Sequence, residues 1–131
     1  MAALSPSLVD LLKGPNFAHL ATLNRDGSPQ VTPVWVDTDG THVLVNTSFG
    51  RLKERNARRD PRVMLSVLRH DNPYARAFIK GRVLELREEG AGAHIDALAR
   101  RYIGAERYAL PLGERRVVMV IEPERITDQG L

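Results

Sequence analysis

The sequence predicts a mainly β protein: a six-stranded antiparallel barrel, closed or nearly closed, with about three short helices on its flanks. Three observations lead there. Short apolar runs are separated by tight turn signals, among them the Asp26-Gly27 and Asp39-Gly40 steps, which suit hairpins. The runs follow one another in hairpin succession, which favours antiparallel pairing over the long crossovers a parallel sheet needs. Six short strands in a chain of 131 residues would leave exposed edges unless the sheet closes. The length fits one domain over residues 1–131, since domains typically run ~100–150 residues. Such a chain has a good core but little spare interior, so a sizeable cofactor is expected in a surface groove or between subunits.

Residues 4–13 read as a short helix, with Ser5 as cap, Pro6 at the first helical position and Gly14 at the end. Residues 16–23 and 29–37 form a hairpin across Asn24-Arg25-Asp26-Gly27, and residues 41–47 add a third strand. Pro29 and Pro33 remove two amide donors, so the second strand is expected to be interrupted or at an edge. Residues 49–59 favour a helix capped by Ser48, and Asp60-Pro61 stops it. Strands follow at 62–69 and, after a loop at 70–73, at 75–86, where Gly81 marks a bulge. Ile95, Leu98, Ala99, Tyr102 and Ile103 give residues 88–103 an apolar helical face ended by Gly104. Residues 116–122 form the last strand.

Composition excludes several chemistries. Without cysteine there is no disulfide framework, thiolate nucleophile or cysteine metal site. No run approaches the ~20 apolar residues of a membrane helix. The N-terminus does not read as a signal peptide, so a cytoplasmic protein is expected. His19, His42, His70 and His94 lack metal-ligand spacing, so no metal site is assigned. His19 alternates with Phe17 and Ala21 on one strand face, as a core or interface residue would. No serine has a nucleophile-elbow context. Aromatics are 5% of residues and do not interleave the cations, which argues against nucleic acid as a partner.

The net charge of +3 is concentrated. Residues 51–62 hold six cations against two acids, so this window carries +4 and the rest of the chain is slightly acidic. Here a strand ends in Asn46, Thr47 and Ser48, and a helix begins. Arg51 offers a planar fork, Lys53 a point charge, and Thr47 and Ser48 hydroxyls, beside the free amides of a helix start. Arg51 and Lys53 are two apart, so they converge only if Arg51 reaches forward from the helix start; Asn56, three after Lys53, can share its face. This is either a phosphate site or a solvated polar helix. Trp35 reads as a core or dimer-interface anchor, and Tyr74 as a loop aromatic able to close over a ligand.

The order of FAHLATLNRDGSPQVTPVWV, VLVNTSFGRLKERNARRDPRVMLSV, AFIKGRVLEL and RVVMVIEPERI resembles the split β-barrel flavin and deazaflavin reductases, the broad family that includes pyridoxamine 5′-phosphate oxidase. The R-x-K-x-R-N-x-x-R-D-P run is most similar to the subgroup that uses coenzyme F420. The resemblance implies an FMN-binding-like split barrel. It implies a phosphate held by Arg51, Lys53 and Asn56, and a ring system beside Thr32, Pro33, Val34, Asn46 and Thr47. It also implies a homodimer with sites at the subunit interface. The expected activity is hydride transfer between reduced F420 and a small conjugated organic acceptor. FMN in the same fold, or an F420-binding and storage protein without turnover, are the alternatives. No catalytic side chain is assigned. Arg55, Arg58 and Arg59 are available to an anionic cofactor tail. The chain ends before the C-terminal extension that pyridoxamine oxidases use for pyridoxal phosphate, and Arg76 stands where some relatives carry an aromatic near the substrate.

Overall fold

The computed structural model describes all 131 residues. Seven antiparallel strands form one curled sheet, and three helices cover it. The elements are α1 (Pro6–Lys13), β1 (Phe17–Leu23), β2 (Pro29–Trp35), β3 (Asp37–Thr38), β4 (Val43–Ser48), α2 (Leu52–Arg59), β5 (Arg62–Arg69), β6 (Asn72–Arg87), α3 (Ala91–Ile103) and β7 (Arg116–Gln129). The strand order is β2-β1-β5-β6-β7-β4-β3.

The seventh strand arises because the predicted strand 29–37 breaks at Val36. Its first part pairs with β1, Phe17 opposite Trp35, and its last two residues pair with β4, Asp37 opposite Leu44. One residue therefore joins the two ends of the sheet, which is how the sheet curls round a core. Pro29 and Pro33 lie in β2, an edge strand of the sheet, where their missing donors leave no ladder bond unmade.

Leu8, Leu11 and Leu12 of α1 are at most 1% exposed and join Leu20, Val36, Leu65, Ile79, Met119 and Ile121 in the main core. Burial of each such side chain stabilises by about 1.5–3 kcal/mol. Ser5 caps α1 by accepting from the Leu8 amide at 3.2 Å. Gly81 sits at a register shift, where a Cβ would meet the Glu122 carbonyl at 2.7 Å. The expected bulge is there because only glycine fits it.

Other boundaries differ from expectation. β6 starts at Asn72, because Arg69 pairs with Asn72 across a two-residue turn instead of a loop. β7 runs to Gln129, since its charged second half is held by pairing with β6 rather than by burial. α3 begins at Ala91, behind Gly90. α2 begins at Leu52, and its cap position is Arg51, so Ser48 ends β4 and does not cap the helix.

β4 is buried along its whole length. One face, Val43 and Val45, belongs to the main core, while Leu44 clusters with Ala91 of α3 and with Val118 and Val120 of β7. The polar residues that end this strand are thus enclosed on both sides.

Candidate functional site

An open groove of about 200 Å³ lies where β2 and β4 approach the start of α2. Phe17, Pro33, Val34 and Trp35 form one wall; Asn46, Thr47, Arg51, Lys53 and Arg116 form the other, with Tyr108 from the loop after α3. The chain reaches this geometry through Gly50, whose φ of 90° turns β4 into α2. Arg51 then lies outside the helix in extended conformation, φ −65° and ψ 154°. That is the arrangement under which cations two apart in sequence can face the same space.

The cations are unequally paired. Arg116 is 8% exposed; its Nη1 donates to Glu114 Oε1 at 2.5 Å and to Ser48 Oγ at 3.0 Å. Arg51 only grazes Glu114, at 4.0 Å. Lys53 has no carboxylate within 4.0 Å. Burial, and then the charges of Arg51 and Arg116, push the Lys53 ammonium below its ordinary range. A protein that keeps a half-buried lysine beside two arginines without a counterion holds a field that an anion relieves. Thr47 adds a buried hydroxyl oxygen with no hydrogen-bond partner, a group that a ligand or water would satisfy.

The apolar wall is aromatic. Trp35 stacks on Tyr102 with ring centroids 5.1 Å apart and planes 7° apart, and meets Tyr108 edge-on at 6.1 Å. Arg116 lies 4.9 Å over the Tyr108 ring. Tyr102 is locked from behind: its hydroxyl donates to Asn16 O at 2.7 Å and accepts from the Val36 amide at 3.0 Å. The groove therefore has a rigid aromatic wall on one side and a cationic cradle on the other.

The structure divides the residues expected at the site. Pro33, Val34, Asn46, Thr47, Arg51 and Lys53 line this groove. Asn56 does not: it is 0% exposed and donates to Thr22 Oγ1 at 3.1 Å and Asn24 Oδ1 at 2.9 Å, beside a separate groove. Three residues along a helix is a neighbouring position, but α2 turns that side inward onto β1. Ser48 is 5% exposed, and its hydroxyl is engaged with Glu114 and Arg116. Thr32 lies outside the groove lining, its hydroxyl oxygen buried without a partner. Arg58 turns away, pairing with Glu54 at 2.5 Å and lying 4.7 Å over Phe49. Arg55 and Arg59 line the second groove, about 480 Å³, with Arg25 and Asn24. Tyr74 is 75% exposed and does not line the first groove; Tyr108 does. His19 is exposed on the outer sheet face, not in the core. Trp35 is a groove wall.

Arg116 and Tyr108 are absent from the sequence-level site. The available signal for Arg116 was a cation at the head of an apolar strand, but Arg115 next to it looks the same and is exposed. Only the pairing of Ser48 with Arg116 distinguishes them.

A third hollow, about 450 Å³, opens beneath Phe49 between Val83, Leu86 and Val117. Its charged lining is mostly acidic, from Glu54, Glu85 and Glu88, which is the wrong sign for a phosphate. No helix is long and apolar enough to cross a membrane.

The family profile of pyridoxamine 5′-phosphate oxidase matches residues 4–130. The chain belongs to that family. Among solved structures of similar fold, an F420 reductase is 34% identical, with 92% of this chain and 95% of that chain aligned at a TM-score of 0.80. Rv2991 of Mycobacterium tuberculosis, a conserved hypothetical protein, is 23% identical over 98% of this chain and 84% of its own, with a TM-score of 0.72. HupZ of Group A Streptococcus is 19% identical over 96% and 94%, with a TM-score of 0.67. The latter two share the fold.

Proposed function

We propose that the protein is an F420-dependent oxidoreductase that moves a hydride between reduced F420 and a small conjugated organic acceptor. The observation that carries this reading is the groove itself: Arg51, Lys53 and Arg116 converge, Lys53 lacks a counterion, and an aromatic wall faces them. The likeness to an F420 reductase supports it. F420, when bound, supplies the hydride chemistry. The protein's residues supply binding and orientation. Arg51 offers a fork to the phosphate oxygens, Arg116 its remaining Nη2, Lys53 a point charge, and Thr47 its free hydroxyl. Pro33, Val34 and Trp35 give the ring a flat apolar surface and exclude water from one side.

FMN also presents a phosphate on a ribityl chain and a flat tricycle. The second groove favours F420. Arg25 and Arg55 there have no acidic partner within 4.0 Å, and they suit an anionic lactyl-glutamyl tail that FMN lacks. Both grooves draw on α2, which places such a tail within reach of the phosphate cradle.

The reading includes a homodimer. At about 200 Å³ the open groove is smaller than the ~300–1,000 Å³ of sites that enclose a ligand, which fits a site completed by a second surface. Phe17, Val31 and Met64 are 52%, 58% and 48% exposed on the outer faces of β1, β2 and β5, and Phe17 also lines the groove. A second copy docked there buries this apolar face and closes the site. Light scattering should give twice the 14.6 kDa chain mass; a monomer at micromolar concentration would contradict the dimer.

The function is tested by incubating purified protein with reduced F420 and a panel of conjugated acceptors. Oxidation of F420 that depends on the protein supports the oxidoreductase. Tight F420 binding without turnover would mark a carrier, and yellow protein loaded with FMN as isolated would mark a flavoprotein.

A further inference from the structure

Behind the groove, a line of hydrogen bonds runs from Arg116 toward the far side of β4. Arg116 Nε donates to Asn46 Oδ1 at 2.9 Å. This fixes the orientation of the Asn46 amide. Its Nδ2 then donates to the Ala91 carbonyl at 2.9 Å and faces His94 Nδ1 at 3.0 Å. Both amide hydrogens are thereby used, and His94 Nδ1 has to be the acceptor. The imidazole hydrogen lies on Nε2, which donates to Asp37 Oδ2 at 3.0 Å. Asp37 is 7% exposed; its Oδ1 accepts from Arg101 Nη2 at 3.0 Å and lies 3.4 Å from Lys13 Nζ.

We propose that His94 and Asp37 are positioning residues of the groove: they fix the Asn46 amide, and the amide aims the Arg116 guanidinium at the bound anion. This rests on the reading of the groove as a phosphate site given under Proposed function.

Direction is conserved at every link. Each donor meets one acceptor, and no group in the line can rotate alone. If the Asn46 amide flipped, Nδ2 would face Arg116 Nε, donor against donor, in a site where Asn46 and Arg116 are 9% and 8% exposed. If His94 took a proton on Nδ1, an N–H would face Asn46 Nδ2 with the same conflict. Arg116 would then lose the partner that sets its plane, although Glu114 and Ser48 would still hold one end of its fork. The charged groups facing this line are Asp37 on β3, Arg101 on α3 itself, Lys13 on α1 and Arg116 on β7. The arrangement therefore couples the tautomer of a residue outside the groove lining to the geometry of a cation inside it.

Two variants separate positioning from mere packing. His94→Gln keeps an acceptor for Asn46 and a donor for Asp37. His94→Leu keeps bulk and removes both. Nitrogen NMR of the protein alone should show His94 as the Nε2–H tautomer at neutral pH. It should also show a slowly exchanging Arg116 Nε–H in wild type and His94→Gln that is lost in His94→Leu. Fluorescence titration with F420 should show His94→Leu weakened about tenfold, the scale of one hydrogen bond to a charged group. His94→Gln should bind near the wild-type level. An Nδ1–H tautomer or an unchanged Arg116 signal in His94→Leu overturns the proposal, as does wild-type affinity in that variant. If wild type binds neither F420 nor inorganic phosphate, the phosphate-site reading falls. The Arg116 signal still decides whether His94 positions the guanidinium.

Discussion

Two clusters of charge lie on either side of Asn46, and they are built in opposite ways. On the α3 side, the Asp37 carboxylate is enclosed by His94, Arg101 and Lys13. Burial opposes its charge, but His94, the Thr38 amide and Arg101 together hold its carboxyl far below the usual carboxylate range. On the groove side, Arg51, Lys53 and Arg116 share one nearby carboxylate, Glu114, and Lys53 has none of its own. The first cluster is complete within the chain, where it holds the fold and fixes the Asn46 amide. The second carries an excess of positive charge that is compensated only when something anionic arrives. The basic character of the sequence divides along the same line. Arg101 is spent on the fold, whereas Lys53 is held at some cost to it.

That contrast can be broken from either side. The largest effect is expected for Arg116→Ala, because Arg116 joins both clusters through Asn46 and Glu114. It should cost about 3 kcal/mol of stability by stranding a buried carboxylate. It should also lower F420 affinity by about a hundredfold, a loss of several charge-assisted bonds. Urea unfolding and a fluorescence titration check the two parts.

Asp37→Asn should cost about 2 kcal/mol at neutral pH by leaving Arg101 without its ionised partner. The sign with pH follows from linkage. The folded carboxyl titrates below its unfolded value near ~3.9, so its contribution is present above that value and fades as pH falls toward the folded value. Unfolding measured across this acid range should be steeper in wild type than in Asp37→Asn.

Lys53→Met should act in the other direction on stability. The ammonium is held below its ordinary range, so its charge opposes folding until pH rises through the folded value. The variant should melt no lower than wild type without ligand, and should show a smaller upward shift in Tm with phosphate or F420 than wild type shows. The smallest effect is expected for Arg55→Ala, whose side chain is exposed in the second groove. It should weaken F420 by about threefold, an exposed charge contact that salt screens, and leave FMN unchanged.

The legible parts of the fold were local. Ser5 before Pro6, the Asp26-Gly27 turn and the glycine at the β6 bulge each carry their own physics within a few residues. Pro29 and Pro33 made an interruption of the second strand legible, but not its place at Val36, because Val34-Trp35-Val36 gives no sign of which residue changes partner from β1 to β4. The site divides in the same way. Arg51 and Lys53 could be read from their position at a strand-to-helix junction. Arg116, His94 and Asp37 could not, since they reach Asn46 only through the register of β4 with β7 and the seating of α3. Asn56 shows the converse error: spacing along a helix names a neighbour of Lys53, but tertiary packing turns it inward.

The central claim is that the uncompensated cations of the groove exist to bind the phosphate of F420. It is tested most directly by titrating wild type and Lys53→Ala with F420 and FMN in parallel, with circular dichroism on each sample. Wild type should bind F420 more tightly than FMN, and Lys53→Ala should lose about tenfold in affinity for both while keeping a native spectrum. Unchanged affinity in a natively folded Lys53→Ala protein would contradict the account.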